Sequence, residues 1–337
     1  MAHDDARPAR AGPDQFRSSA ARRVARRIDE VFSSLEVLPF LRAKDRTEFR
    51  YFRRLFRSAC VEIDARVDRG EIRPWSKSAV EYLCAAAEDS FPRSRQGGPY
   101  PPARMDANRF TVPPGPLRIG VFTGSFDPFQ MTHLETALRF LSRGERAADL
   151  VLVIPEGSYS TLKPGRSEYG YRYDILHRQA GEAFRPFIVP LDIGEDQDTI
   201  GIVRRLIDLF AGRDLVLTHV LGSDVFPFAA KWYPKDLESW NQEALNRDVK
   251  LDFGAFIVKR DSADRVADSA REARKLGIPV QLDPRPIGTP SSTQLREGGV
   301  FTIVFPTAEV LEKLEVVFRY GMHRHWLTEK GGPEYEI

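Results

Sequence analysis

The stretch GSFDPFQMTH, residues 124–133, holds a histidine, an aspartate and a Phe-Asp-Pro turn. It lies between a run that reads as a strand, LRIGVFT, and one that reads as a helix, LETALRFL. Such junctions offer backbone N–H groups and the positive end of a helix dipole, which suit an anion such as a phosphate. Neither common phosphate loop is present, because the stretch has no G-x-G-x-x-G and no G-x-x-x-x-G-K-[ST]. Two further clusters follow strand-like runs: GSDVFPFAAKW at 222–232 and PSSTQLR at 290–296. Each has a plain structural explanation. Gly124 can make a tight turn, His133 can sit satisfied on a helix, and Ser291 and Ser292 can cap one. Their coincidence on one sheet edge outweighs any single cluster, because ligands of parallel sheets bind beyond the carboxyl ends of the strands.

The elements that must position these clusters are legible as an alternation. Strand candidates are LRIGVFT, DLVLVIP, FIVP, DLVLTHVLG, GAFIVKR and PVQLD, with helical stretches at about 132–143, 171–182, 198–211 and 263–275. The pattern predicts an α/β fold: a Rossmann-like doubly wound parallel sheet with helices on both faces, preceded by a helical N-terminal extension. Residues 1–25, rich in Ala, Arg, Pro and Asp, read as disordered. Residues 26–90 read as helical, with Phe49, Phe52, Phe56 and Ile63 at helical spacing and Asp45 and Glu48 as a capping box. Arg50, Arg53, Arg54 and Arg57 lie mostly off that stripe and read as a solvated face. Residues 91–116 carry seven prolines and read as a linker, 117–322 as the main domain and 323–337 as a tail. A chain starting at residue 112 is therefore expected to fold alone.

Composition narrows the function classes. The 337 residues carry 50 basic and 48 acidic side chains, a net charge of +2 that argues for neither nucleic acid nor membrane. No apolar run reaches the ~18 residues of a membrane span. Two cysteines, Cys60 and Cys84, are too few for a disulfide framework or a zinc site and read as free thiols in a reducing compartment, so the cytoplasm is the expected location.

The motifs also carry a resemblance. GSFDPFQMTH resembles the nucleotide-binding loop of the HxGH nucleotidyltransferase superfamily, G-x-F-D-P-x-H-x-G-H, and SSTQLR resembles its second signature, I-S-S-T-x-I-R. GSDVFPFAAKW is similar to the G-x-D…W segment of nicotinate-nucleotide adenylyltransferases. LKPGRSEYGYRYDIL looks like their Lys…Arg segment, and IVFPTAEVLEKLEVVFRYG like their closing helix. The matches run in family order across about 117–322 and leave residues 1–116 uncovered. The resemblance implies transfer of AMP from ATP to nicotinate or nicotinamide mononucleotide, with release of pyrophosphate, in NAD biosynthesis. His133, Arg296 and Lys163 would be catalytic. ATP would meet Gly124, Ser125, Phe126, Gln130, His133, Gly222, Asp224, Ser291, Ser292, Thr293 and Arg296. The mononucleotide would meet Lys163, Arg172 and Trp232, with Asp224 on a ribose hydroxyl and Trp232 stacked on the pyridine ring. Magnesium would arrive with ATP, held by phosphate oxygens and water rather than by a carboxylate cage.

The residues read the same way without the family. Joining two anions asks mainly for alignment and neutralisation of charge, which donors at helix N-termini supply without a nucleophile. Trp232 reads equally well as a core tryptophan, and Lys163 nearly as well as a solvated lysine. Gln130 replaces the first histidine of the motif and Thr132 its glycine. Glutamine still donates hydrogen bonds, and pantetheine-phosphate adenylyltransferases have threonine at the position of Gln130. A β-branched residue at 132 loses the freedom a glycine gives for close backbone approach. LREGGVFTIVFP is shorter than usual after the second signature, and Gly298 and Gly299 stop that helix early. Another phosphorylated acceptor, or a nucleotide sensor without turnover, are the competing readings. Oligomeric state, including a homo-oligomer, stays open, as does whether the extension contacts a partner or the main domain.

Overall fold

The computed structural model describes residues 16–35, 43–89, 112–157, 169–181, 183–194, 198–260 and 264–287. Six strands form one parallel sheet: β1 (Leu117–Gly124), β2 (Leu150–Pro155), β3 (Ile188–Pro190), β4 (Leu215–Gly222), β5 (Leu251–Val258) and β6 (Val280–Asp283). All six coincide with the apolar runs read from sequence. Their spatial order is β3-β2-β1-β4-β5-β6, the Rossmann-like doubly wound arrangement, which reverses direction between β1 and β4. The helices are α1 (Ser19–Leu35), α2 (Ala43–Asp68), α3 (Lys77–Asp89), α4 (Met131–Arg143), α5 (Tyr169–Ala180), α6 (Thr199–Leu209), α7 (Phe226–Asn246) and α8 (Asp264–Lys275).

β2, LVLVIP, is buried at every position, as a parallel strand covered on both faces must be. Side-chain alternation splits the core in two. Ile119, Val121, Leu150, Leu152 and Ile154 pack with α3, α6, α7 and α8. Phe122, Val151 and Val153 pack on the other face with α1, α2, α4 and α5. Helix α4 is central: it is buried nearly all round, between the sheet and the extension. A Cβ on Gly120 would run into the Phe140 ring, so a glycine in mid-β1 lets α4 lie close on the sheet.

The extension packs into the same core as the main domain, whereas the sequence suggested a chain from residue 112 that folds alone. Phe49, Phe52, Phe56 and Ile63 are buried as expected, but the surface they meet belongs to the same cluster as Leu134, Leu138 and Leu141 of α4. Arg66 in the last turn of α2 donates to the carbonyls of Leu141 and Gly144, both at 2.8 Å, at the far end of α4. Beyond α2, Arg73 binds the buried carboxylate of Asp149 at 2.7 Å, and Arg118 of β1 binds it at 2.5 Å. Three other expectations change. Helix α1 begins at Ser19 with Phe16 buried, inside the stretch read as disordered. Asp45 lies within α2 rather than capping it. Arg53 and Arg57 pair with Asp29 of α1 at 2.9 and 2.8 Å instead of standing in solvent. Residues 90–111, most of the proline-rich linker, and the tail at 323–337 lie outside the described residues.

Loss of the extension would strip the apolar cover from α4. A chain beginning at residue 112 is expected to be insoluble or to lack a cooperative thermal transition. Phe56→Ala in the full chain should cost about 3–5 kcal/mol, seen as one shifted unfolding transition. A soluble, cooperatively folding 112–337 fragment would refute the shared core.

Candidate functional site

The crevice between the carboxyl ends of β1 and β4 gathers two of the three predicted clusters. The chain leaves β1 through Ser125, Phe126, a cis Asp127–Pro128 peptide, Phe129 and Gln130 before α4 begins at Met131. Phe126 adopts φ 42°, a left-handed conformation that costs a bulky residue about 1–3 kcal/mol. Aromatic packing offsets that strain: its ring centroid lies 5.1 Å from Phe122, 5.3 Å from Phe129 and 5.0 Å from His133. The ring also lies against Gly124, where a Cβ would come within 3.1 Å of it.

His133 is the third residue of α4. Its Nδ1 accepts the backbone N–H of Gln130 at 3.1 Å, so the ring proton sits on Nε2. Phe122, Phe126 and Phe129 surround the imidazole and fix its plane. Gln130 is only 1% exposed, and Thr132 is fully buried. Threonine at the glycine position thus points its bulk into protein and not into the loop mouth. Among the described residues, neither Thr132 Oγ1 nor Ser125 Oγ has a hydrogen-bond partner.

Arg172, which the resemblance assigns to the mononucleotide, is a buried side chain. It is 1% exposed beneath the loop, where Nη1 donates to the carbonyls of Ser125 at 2.7 Å and Glu156 at 2.8 Å. Its guanidinium also lies 5.6 Å from the Tyr169 ring centroid. On the β4 side, Asp224 pairs with Arg260 at 3.1 Å, and Ser223 Oγ accepts the Arg260 N–H at 2.7 Å. Trp232 stands on α7, 47% exposed, with its ring 6.4 Å from that of Phe228. That exposure removes the core-tryptophan reading; the core positions are taken by Trp75 and Trp240. Lys163, Ser291, Ser292, Thr293 and Arg296 lie outside the described residues. Arg139 of α4 nevertheless grips the chain leading to the last four, donating to the carbonyls of Arg285 at 2.6 Å and Pro286 at 3.0 Å.

Sequence reasoning missed Arg260, Arg139, Glu156 and His219. Arg260 ends the run GAFIVKR, and a cation just past a strand end was the available signal. The others become visible only once the strands are paired. His219 in β4 is buried, and burial pulls its imidazole down to about 4, so it is neutral at pH 7. Among the described residues no cluster of three or more His, Cys, Asp or Glu could hold a metal ion. No described helix is long and apolar enough to cross a membrane.

No family model matches the chain, and no curated protein matches it. Among the solved structures that show a likeness are two of Plasmodium falciparum nicotinic acid mononucleotide adenylyltransferase. The one complexed with APC is 16% identical, with a TM-score of 0.35, over 61% of this chain and 96% of that one. The one complexed with NaAD is 16% identical, with a TM-score of 0.38, over 61% and 97%. Likenesses of that size decide nothing about the chemistry of this chain.

The buried imidazole gives a pH signature. The unfolded chain takes up a proton on His219 as pH falls through 6.5, while the native ring stays neutral down to about 4. Its contribution is complete above pH 6.5 and is lost between 6.5 and 4, roughly 3 kcal/mol in all. Asp236, raised to about 6 by burial and then by Asp198, acts in the opposite sense over nearly the same window. The wild-type profile therefore mixes the two, and the difference from His219→Gln isolates one. Denaturant unfolding should show the two proteins converging in stability by about that amount between pH 6.5 and 4. Parallel profiles would mean that the native ring titrates normally.

Proposed function

We propose that this protein transfers an adenylyl group from ATP to nicotinate or nicotinamide mononucleotide and releases pyrophosphate. The observation that carries the reading is His133, held at the first turn of α4 with its proton on Nε2, in the loop beyond β1 at the point where the strand order reverses. The five collinear motif matches in the sequence support the same assignment.

In this reading an oxygen of the mononucleotide phosphate attacks the α-phosphorus of ATP. The bond from that phosphorus to the α–β bridging oxygen breaks, and pyrophosphate leaves with the electron pair. No side chain needs to act as nucleophile. His133 and the N–H groups of α4 donate to phosphate oxygens whose charge grows in the transition state. Asp224 meets a ribose hydroxyl, and Arg260 adds positive charge on the β5 side. Lys163, Ser291, Ser292, Thr293 and Arg296 complete the phosphate contacts in the roles the resemblance implies. Magnesium comes with ATP, held by phosphate oxygens and water. Trp232, exposed beside Phe228, offers a flat apolar face for the pyridine ring, worth about 0.5–1.5 kcal/mol beyond burial.

One observation favours a second reading: Gln130 is buried, so its amide is not presented as the first histidine of the motif would be. A nucleotide sensor would bind ATP without turning it over. Pyrophosphate release from ATP with a panel of mononucleotides separates the two and identifies the acceptor. His133→Ala is expected to lower turnover about 10²–10³-fold in a protein that still folds, with about 0.5–2 kcal/mol of stability lost with its cap on the Gln130 N–H. Trp232→Ala should raise the KM for the mononucleotide roughly tenfold, the scale of ~1.4 kcal/mol, and leave that for ATP nearly unchanged. Equal losses for both substrates would detach Trp232 from the pyridine ring.

A further inference from the structure

Beneath the loop, five side chains from five elements form one hydrogen-bonded chain across the crevice floor. Thr199, in the first turn of α6, donates its hydroxyl proton to Glu156 Oε1 at 2.8 Å, just past the end of β2. With that proton committed, Thr199 Oγ1 can only accept at its 3.1 Å contact with Thr123 Oγ1, so Thr123 is the donor. The oxygen of Thr123 must then accept at its 3.4 Å contact with His219 Nε2, which places the ring proton on Nε2. A neutral imidazole protonated there has a bare Nδ1, and that atom accepts the Tyr233 hydroxyl proton at 3.0 Å. All four bonds point one way, from Tyr233 on α7 to the Glu156 carboxylate.

Register brings the chain together. Val121 of β1 pairs with His219 of β4, so Thr123, two residues on, leans toward the imidazole on the same face. Two members of the chain are next in sequence to residues of the proposed site. Thr123 precedes Gly124 of the loop, and Tyr233 follows Trp232. Glu156 is tied to the loop a second time, because its carbonyl shares Arg172 Nη1 with the carbonyl of Ser125.

We propose that His219 is a positioning residue for the loop at 124–130, ordering Thr123 directly and, through Thr199 and Glu156, the carbonyl pair from which Arg172 holds that loop. Its effect on catalysis rests on the adenylyl-transfer reading. The direction of the chain does not.

Two measurements test it separately. Imidazole ¹⁵N spectra at pH 7, with His219 assigned by its disappearance in His219→Gln, should show a neutral ring protonated on Nε2. Tyr233→Phe keeps the packed ring but removes the donor to Nδ1, and should shift only that nitrogen strongly. Protonation on Nδ1 in the wild type would overturn the chain. For catalysis, Thr123→Val deletes the hydroxyl and Thr123→Ser keeps it. The Val variant should lose at least tenfold in kcat/KM for ATP, and the Ser variant should restore it to within threefold of wild type. Melting temperatures of the two should agree within a few degrees. Equal activities in the two variants would overturn the positioning role. If the wild type transfers no adenylyl group, the proposed activity falls. The same pair is then compared by affinity for ATP, where weaker binding by the Val variant alone supports the proposal and equal binding overturns it.

Discussion

The loop after β1 keeps its shape because one guanidinium is buried under it. Arg172 has little access to water, so its charge must be met by protein, and two backbone carbonyls meet it. Those carbonyls belong to the first residue past β1 and the first past β2. Fixing them together sets the angle at which the chain leaves the sheet, and hence where α4 starts and where His133 stands. The left-handed Phe126 and the cluster of Phe122, Phe126 and Phe129 become tolerable only within that frame. A ligand at the loop would meet donors already in place.

The same economy appears at the ends of α4. Its N-terminus opens on the crevice, where a helix favours negative charge. Its C-terminus is closed by Arg66, whose two N–H groups take carbonyls the helix cannot satisfy itself. Along its length Glu135 and Arg139 form a buried pair at 2.5 Å, and Arg139 extends to the chain beyond β6. One helix thus joins the crevice, the N-terminal helices and the approach to the second signature.

The strands are legible because short β-branched runs bounded by charge and proline have few other uses in a folded chain. Helix α7 was harder to see, with Pro227 near its start and Pro234 inside it. The start of α1 was obscured by its arginines, although Val24, Ile28 and Phe32 already lay at helical spacing. His133 and Trp232 could be picked out because their neighbours form a recognisable string. The same string picks out Arg172 but not its burial, since sequence order does not say which side of a loop a side chain approaches. Thr123, Thr199 and His219 are unremarkable letters far apart in the chain, and only strand register and the crossover to α6 bring them within bonding distance.

The clamp between Arg66 and α4 also bears on how the protein is made. During synthesis α2 is complete about 75 residues before the last turn of α4 exists, several seconds at roughly 5–20 residues per second. Through that interval Phe52, Phe56 and Ile63 have only α1 to bury against, as in the Phe32–Phe56 contact, and Arg66 has no α4 carbonyls to hold. The nascent N-terminal helices therefore wait with one apolar face unpartnered. Until α4 arrives, the side of α2 that it will cover stays open to water.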